Sequence, residues 1–388
     1  MKSRHFSKAF PLAAAMLLLT LACDGFHCSA ADITPDRLSC EYSQAPLGID
    51  VLQPRLNWIV TSQERAQLQK AYQILVSSSE ASLKKDQGEL WDTGKVPSGE
   101  TLHIVYSGKP LTSRHRCFWK VRVWDKTGKA SDWSSSGWWE MGLLQNSAGQ
   151  GSSTLSGWTA KWIARTTDTN SNPAPLFRRV FNLSGQVKKA RAYISGLGYY
   201  ELHINGKKIG DHLLDPGYTR YDKRVLYATY DVTDALRSGR NAIGIILGNG
   251  WYNVHTVAVW DFQKAPWRAS PRVLMQLDVE YSDGRTETIV TDGDWKTSTG
   301  PITFDSIYGG QTYDARQEKP EWATPAYDDS AWLRALEVEP PKGKLSAQMM
   351  PPIRVDTTIK PVKLTEPKPG TFIVDFGQNF AGFAELNL

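Results

Sequence analysis

Residues 196–253 constrain the fold more than any other part of the chain, because they begin with a strand, a tight turn and a returning strand. Along Tyr200–Ile204, apolar side chains alternate with polar ones, which is the two-residue period of a half-buried β-strand. Asn205-Gly206 follows, a dipeptide that accepts the positive φ angles of a type I′ turn. Lys207–Gly210 then continues as the second strand. The segment therefore predicts a β-hairpin.

Strand-like segments recur along the chain, separated by turn residues, and no long amphipathic helix appears between them. A short helical turn is predicted near Ser79–Lys85, and another near Asp231–Asp234. The predicted fold class is therefore all-β, with tandem β-sandwiches. The principal predicted strands are residues 56–60, 71–76, 118–125, 176–181, 189–194, 200–204, 225–231, 241–247, 273–281 and 287–291, with 351–355 and 371–376 as the opening strands of the last unit.

Composition divides the chain into successive units. Residues 32–144 are predicted to form a fibronectin-III-like or immunoglobulin-like sandwich, and the polar residues 145–157 form a linker. Residues 158–335 are predicted to form a jelly roll of the galactose-binding-like type, and residues 336–388 start an incomplete β-sandwich. The aromatic residues predicted to lie in the core of the first sandwich are Trp58, Tyr72, Trp119 and Trp124.

Residues 1–31 are typical of a signal peptide. Basic residues precede the apolar run Phe10–Ala22, which is too short to span a bilayer, and the small residues of Ser29–Ala31 suit a signal peptidase. We therefore expect export to the periplasm or the medium. A lipid-anchored form attached through Cys23 is the alternative. No later segment is predicted to cross a membrane.

Charge and cysteine content exclude some functions and leave others open. Removing residues 1–31 takes away three bases and one acid, which leaves too small a positive charge for a nucleic-acid footprint. Two cysteines, Cys40 and Cys117, remain after that removal. Export permits a disulfide between them, whereas burial as two free thiols in a sandwich is the alternative.

A set of motifs in consecutive order makes the chain recognisable. Together they resemble the N-terminal half of bacterial α-L-rhamnosidases of glycoside hydrolase family 78, over essentially the whole chain after residue 31. The motifs are Cys40–Tyr42 with Pro46–Asp50, Trp119–Asp125, Gly196–Asp211 with Leu247–Asn253, Tyr227–Thr233, Tyr313–Arg316 and Asp375–Asn379.

The resemblance implies an exported enzyme in which β-sandwich domains precede an (α/α)6 barrel that carries an inverting pair of acidic residues. This chain is predicted to be truncated before that barrel, so it supplies no catalytic residue. We therefore predict the non-catalytic N-terminal portion of an α-L-rhamnosidase, with rhamnose-containing glycans and the missing catalytic domain as its partners. The alternatives are a stand-alone lectin-like carbohydrate-binding protein and an inactive gene remnant.

One position departs from the family pattern. Gln311 stands where relatives have glutamate, within the segment Tyr308–Arg316. An amide keeps only part of a carboxylate's ability to bind an arginine or a cation. A charge-dependent role at this position is therefore in doubt, and ordinary variation at a polar turn explains the change equally well.

The second domain resembles a module that binds rhamnose with calcium in some family members. Trp251 and Tyr252 are the predicted stacking platforms, and Asn249, Asn253 and Asp211 are the predicted partners for sugar hydroxyl groups. A sugar site needs this mixture, because ring faces require apolar surface and hydroxyl groups require fixed donors and acceptors. The alternative is that both aromatic residues pack against the missing catalytic domain.

Calcium is the cofactor that the resemblance implies for this domain, and no cofactor is required. Asp211, Asp215, Asp222 and Asp231 could supply oxygen ligands to a hard cation. Their spacing is not that of an EF-hand, and isolated aspartates in turns usually cap or solvate the backbone. The histidines show no paired spacing for zinc.

Overall fold

The computed structural model describes residues 32–144, 157–171, 173–257 and 260–386. The predicted signal peptide, Cys23 within it, and nearly all of the predicted linker lie outside these ranges. Within them nearly all of the regular secondary structure is β-strand, which confirms the all-β prediction. No helix in the described part is long and apolar enough to cross a membrane.

The first sandwich packs two mostly antiparallel sheets against each other. One sheet contains β1 (Thr34–Cys40), β3 (Arg55–Thr61) and β6 (Ile104–Val105), in the order β1-β3-β6. The other contains β2 (Leu47–Ile49), β4 (Ala71–Ser77), β5 (Trp91–Asp92), β7 (Arg116–Trp124) and β8 (Gly137–Met141), in the order β2-β8-β7-β4-β5. The predicted helical turn is a short helix, α1 (Glu80–Lys84), whose N-terminus is capped by the Ser79 side chain.

The core of this sandwich follows from alternation along its strands. In β7, Cys117, Trp119, Val121 and Val123 all point inward and are buried. Trp58 and Tyr72 are also buried, as predicted. Trp124 is not a core residue, because the two-residue period of β7 places it on the outer face. There its ring is covered by two cationic side chains, those of Lys95 at 4.6 Å and Arg122 at 5.2 Å.

The two cysteines that remain after residue 31 are free thiols inside this core. Cys40 and Cys117 belong to the same cluster of buried apolar residues as Trp58 and Trp119. Burial raises the pKa of Cys40 well above its usual value and raises that of Cys117 to about 12. Both therefore behave as small apolar residues rather than as reactive thiolates.

The second sandwich pairs two larger sheets. The front sheet contains β10 (Pro175–Leu183), β12 (Tyr200–Ile204), β13 (Lys207–Lys208), β15 (Gly239–Leu247), β18 (Lys296–Thr299) and β21 (Leu333–Arg334), in the order β13-β12-β15-β10-β18-β21. The back sheet contains β9 (Ile163–Ala164), β11 (Val187–Leu197), β14 (Arg224–Asp231), β16 (Arg272–Tyr281), β17 (Thr286–Val290), β22 (Leu336–Glu337) and β23 (Lys344–Ala347), in the order β22-β9-β16-β11-β14-β23 with β17 beside β16. Strands β19 (Ile302–Ser306) and β20 (Gly310–Tyr313) form a separate pair.

The hairpin predicted from the alternation at Tyr200–Ile204 is present. Strands β12 and β13 pair antiparallel, with His203 opposite Lys208. Asn205 and Gly206 form the turn with φ angles of 52° and 84°, as a type I′ turn requires. Strand β12 also pairs with β15, which ends at Leu247, so the hairpin leads directly to the loop with the aromatic residues. Short 3-10 turns complete the domain at Thr233–Ala235, Phe262–Lys264 and Ala315–Gln317.

The back sheet extends past residue 335, where the second domain was predicted to end. Strand β22 pairs with β9, and β23 pairs in parallel with β14, so residues up to Ala347 belong to this sheet. After it, the chain forms an exposed hairpin of β24 (Lys363–Lys368) and β25 (Thr371–Asp375). Residues 351–355 are not a strand, since Pro351 and Pro352 donate no ladder hydrogen bond, and Ile353 makes a single bridge to Leu213.

Candidate functional site

Glycines bring the loop after β15 close to the start of β12. At Gly198, φ is +115° and an added Cβ would lie 1.9 Å from the carbonyl oxygen of Gly248. The backbone N–H of Gly248 donates to the Tyr199 carbonyl at 2.7 Å. This close approach fixes the position of residues 248–253, which we call the aromatic loop.

The two predicted asparagine ligands of the aromatic loop hold the loop itself. Asn249 and Asn253 are 2% and 0% exposed. The Asn249 side-chain amide donates to Asp305 Oδ2 at 3.0 Å, and its backbone N–H donates to Asp305 Oδ1 at 2.7 Å. The Asn253 amide donates to Asn249 Oδ1 at 2.9 Å. Internal hydrogen bonds therefore occupy the Asn249 amide and the Asn253 amide nitrogen and tie the loop to β19, whereas Asn253 Oδ1 is buried without a partner among the described residues.

Three further polar residues join this network that sequence reasoning did not assign to it. Burial raises the pKa of Asp305, although hydrogen bonds from Asn249 offset part of that effect. His255 Nε2 lies 3.0 Å from Asn253 Nδ2, and Arg268 donates to the Thr169 carbonyl at 3.1 Å. Burial, with the Arg268 guanidinium beside it, lowers the pKa of His255. No local motif could have found this group, because Asp305 is 56 residues from Asn249.

Tyr252 is packed within the domain. It is 3% exposed, its ring meets that of Tyr221 edge-on at 5.3 Å, and the Arg272 guanidinium lies 5.8 Å from its centroid. Burial raises the pKa of its hydroxyl group. Neither face of the ring is presented to solvent in the manner that stacking on a sugar requires.

Trp251 lies at the surface within a group of aromatic rings. Its ring centroid is 5.7 Å from that of Tyr218, 5.0 Å from that of Phe262 and 5.6 Å from that of Tyr308. Tyr218 and Tyr308 are more than two-fifths exposed, whereas Trp251 is half-buried. These four residues, which we call the aromatic surface, offer apolar and hydroxyl-bearing area at one end of the second sandwich.

Asp211 lies in a different group of side chains. It is exposed and forms an ion pair with Arg354 at 2.9 Å. Next to it, His212 Nδ1 lies 2.6 Å from Asp215 Oδ2, and the Gln348 amide donates to Asp215 Oδ1 at 2.9 Å. In the described part of the chain, no hydrogen bond or ion pair joins Asp211 to the aromatic loop. The structure therefore joins Asn249 to Asn253 by a hydrogen bond, packs Tyr252 against other residues of the domain, and leaves Asp211 apart from all three.

The four aspartates considered for calcium have separate partners. Asp222 pairs with Arg220 at 2.7 Å and Asp231 with Arg191 at 2.8 Å, while Asp211 and Asp215 have the partners described above. Among the residues that the structure describes, no three His, Cys, Asp or Glu side chains are grouped so that they could hold a metal ion. Calcium binding stays a prediction.

Gln311 lies in β20, opposite Asp305 of β19, with its side chain exposed. Its register partner Asp305 is the residue whose carboxylate accepts hydrogen bonds from Asn249 of the aromatic loop.

Family models match both sandwiches. Residues 35–145 match the model described as "Rha78A-like, N-terminal immunoglobulin domain". Residues 185–357 match the model described as "Alpha-L-rhamnosidase N-terminal domain". The chain belongs to the α-L-rhamnosidase family, as an N-terminal portion. This N-terminal rhamnosidase portion thus contains both of the domains that the two models describe.

Individual relatives agree with this assignment. A curated α-L-rhamnosidase of Formosa agariphila is 37% identical over an alignment 413 residues long, and this alignment covers 96% of the present chain. The solved structure of an α-L-rhamnosidase from Dictyoglumus thermophilum is 42% identical, with a TM-score of 0.80 over 91% of this chain. That of the Streptomyces avermitilis enzyme complexed with L-rhamnose is 28% identical, with a TM-score of 0.81 over 89%.

The N-terminal rhamnosidase portion spans less than half of each of these relatives. The aligned part is 41% of the Formosa protein, 39% of the Dictyoglumus chain and 49% of the Streptomyces chain.

Proposed function

We propose that this chain is the non-catalytic N-terminal portion of an exported α-L-rhamnosidase, which in its full-length form hydrolyses terminal α-L-rhamnosides with inversion. The observation that carries the proposal is the coverage of the Formosa relative, of which this chain matches 41% while nearly the whole chain is aligned. The two sandwiches would support and orient the remainder of the enzyme.

The partners of the buried carboxylates support a non-catalytic role. Inversion requires a carboxylic acid and a carboxylate roughly 6.5–9.5 Å apart, both able to reach a sugar and a water molecule. The buried carboxylates of this chain are instead held by internal partners. These pairs are Glu41 with Arg55, Asp125 with Thr127, Glu140 with Arg191 and Asp215 with Gln348.

Turnover of an aryl α-L-rhamnoside tests the proposal directly. We expect the purified 388-residue chain to release no aryl alcohol above a buffer control, and the same chain followed by its downstream coding region to be active. Activity of the isolated chain that persists through purification and is lost on thermal unfolding would overturn the non-catalytic role. Coding sequence for a helical barrel directly after Leu388 would separate a portion of an enzyme from a stand-alone lectin-like protein or a gene remnant.

The aromatic surface supports a second function, the binding of rhamnose-containing glycans. Of the two predicted stacking platforms, Trp251 is the one that can contact a sugar there, since Tyr252 is packed inside. Calorimetry with L-rhamnose tests this for Trp251→Ala, with the exposed neighbour Trp260→Ala as the matched control. Heat of binding that Trp251→Ala leaves unchanged would instead favour contact of the aromatic surface with the catalytic domain. Repeating the titration with calcium and with a chelator tests the calcium prediction.

Export is proposed from residues 1–31. Expression in a bacterial host should give a processed chain in the periplasm or the medium, as judged by its N-terminal sequence and by cell fractionation. If the protein is lipid-anchored, Cys23→Ser should release it from the membrane fraction. A chain that keeps residues 1–31 in the cytoplasm would contradict export.

A further inference from the structure

A cavity of about 300 Å³ lies on the outer side of the front sheet, and the aromatic loop is not part of its lining. Its floor is apolar and is formed by Leu176 of β10, Ile246 of β15 and Ile302 of β19. Its opposite wall is the turn Glu318–Trp322 together with Tyr313. A volume of this size is at the lower end of the range for small-molecule sites.

The wall of this cavity is held rigidly. Trp322 lies directly on the sheet because residue 244 is glycine, where an added Cβ would come within 2.6 Å of the indole. The Trp322 ring stacks on Trp332 with centroids 6.2 Å apart and planes inclined by 18°. The buried Arg178 donates its Nε–H to the Trp322 carbonyl at 2.8 Å and forms an ion pair with Asp329. A fixed wall reduces the entropy that binding would cost.

The polar groups at the rim are available to a ligand. The Tyr313 hydroxyl donates to Glu318 Oε1 at 2.7 Å, which leaves Oε2 open. Within the described ranges, neither the half-buried Lys319 ammonium group nor the Glu321 carboxylate makes a hydrogen bond or an ion pair. Glu321 also has φ = +58°, a left-handed conformation that costs a non-glycine residue free energy and is often found at ligand sites.

We propose that this cavity binds one pyranose unit of a neutral glycan. The aliphatic floor and the Trp322 ring would contact the C–H face of the sugar, while Glu318, Lys319 and Glu321 would accept from and donate to its hydroxyl groups. Two glutamates and one lysine line the cavity, so its lining carries more negative than positive charge and an acidic sugar is disfavoured. The choice of glycans as ligand class rests on the proposed function.

Titration with L-rhamnose and with D-glucuronate, followed by calorimetry and by tryptophan fluorescence, tests this site. We expect saturable binding of L-rhamnose and at least about tenfold weaker binding of D-glucuronate. Lys319→Ala/Glu321→Ala should weaken L-rhamnose binding about tenfold or more, because hydrogen bonds to charged groups are lost. The control Glu80→Ala/Lys84→Ala removes the same charges from the surface of the first sandwich and should leave binding unchanged.

The outcomes separate this site from the function that it extends. Binding that Trp251→Ala abolishes and Lys319→Ala/Glu321→Ala preserves would overturn the cavity site in favour of the aromatic surface. No binding of either sugar by the folded chain would also overturn it, while the turnover test of the non-catalytic role would be unaffected. Far-ultraviolet circular dichroism establishes that each variant is folded, and Glu321→Gln replaces any double variant that is not.

Discussion

Glu140 of the first sandwich accepts a hydrogen bond at 2.8 Å from the Nε–H of Arg191 in the second sandwich. Glu140 is 0% exposed, and Arg191 is also buried. Arg116, at 2.9 Å, and Lys189, at 3.0 Å, contact the other carboxylate oxygen of Glu140. A buried carboxylate thus forms ion pairs with basic side chains of both domains, and these ion pairs fix the two sandwiches against each other.

Replacing Glu140 with alanine should destabilise the chain by about 3 kcal/mol or more, because breaking a buried ion pair leaves an uncompensated charge. Arg191 would retain Asp231, which limits the loss. Urea unfolding followed by tryptophan fluorescence measures the change in free energy. Calorimetry should additionally resolve two transitions where the wild type shows one. The control Glu80→Ala removes an exposed partner of Lys84 and should cost at most about 0.5 kcal/mol. Equal effects of the two substitutions would show that the interdomain contact is not what stabilises the chain.

Local patterns were sufficient to predict most of the long strands, but not strand β1, the absence of a strand at residues 351–355, or the side-chain groupings. The alternation at Tyr200–Ile204 and the Asn205-Gly206 turn depend on neighbouring residues, and the hairpin was correctly predicted from them. The prediction that Trp124 is a core residue is wrong, because its size alone does not decide which face of β7 it occupies. Its ring lies on the outer face of the strand, where Lys95 and Arg122 cover it.

The candidate site shows the same limit more strongly. The sequence predicts Asn249 and Asn253 as hydrogen-bonding partners for a sugar. In the folded chain, however, Asp305 accepts hydrogen bonds from the backbone and the side-chain N–H groups of Asn249. That pairing depends on how β19 packs beside the loop, which no local pattern encodes. Asp211 was grouped with them because it lies in the same segment, although its partner is Arg354.

Gly198→Ala should be far more harmful than a comparable glycine substitution elsewhere. The new Cβ would lie 1.9 Å from the Gly248 carbonyl oxygen, which is backbone and cannot rotate away, so the aromatic loop must shift. The matched control is Gly284→Ala, where φ is +87° and nothing lies within 4 Å of an added Cβ. We expect about 1 kcal/mol of destabilisation for the control, from backbone conformation alone, and at least about 2 kcal/mol for Gly198→Ala. Similar melting temperatures for the two variants would contradict the close approach of the loop.

The buried cysteines should be unreactive while the chain is folded. Burial raises the pKa of the Cys117 thiol to about 12 and that of Cys40 higher still, so the reactive thiolate is scarce at neutral pH. In the processed chain, a thiol reagent such as dithionitrobenzoate should label neither cysteine at pH 8, and should label both in guanidinium chloride without prior reduction. Labelling in denaturant that required a reductant would reveal a disulfide and contradict the free thiols.

Asp215 should make stability fall in acid. Burial by itself would raise the pKa of Asp215, but the contact with His212 and the hydrogen bond from Gln348 outweigh it, so the pKa is lowered. A carboxyl group with a lowered pKa in the folded state stabilises that state above its unfolded pKa of about 4, and this contribution is lost as pH falls through the folded value.

The variant Asp215→Asn should therefore be less stable than the wild type at pH 7, and the difference should shrink between pH 5 and pH 3. Urea unfolding at a series of pH values measures both effects. The exposed neighbour Asp211→Asn is the control, and it should keep the wild-type dependence on pH because it leaves the contacts of Asp215 with His212 and Gln348 in place. A constant difference between Asp215→Asn and the wild type across this range would mean that the carboxylate charge is not what stabilises the segment around Asp215.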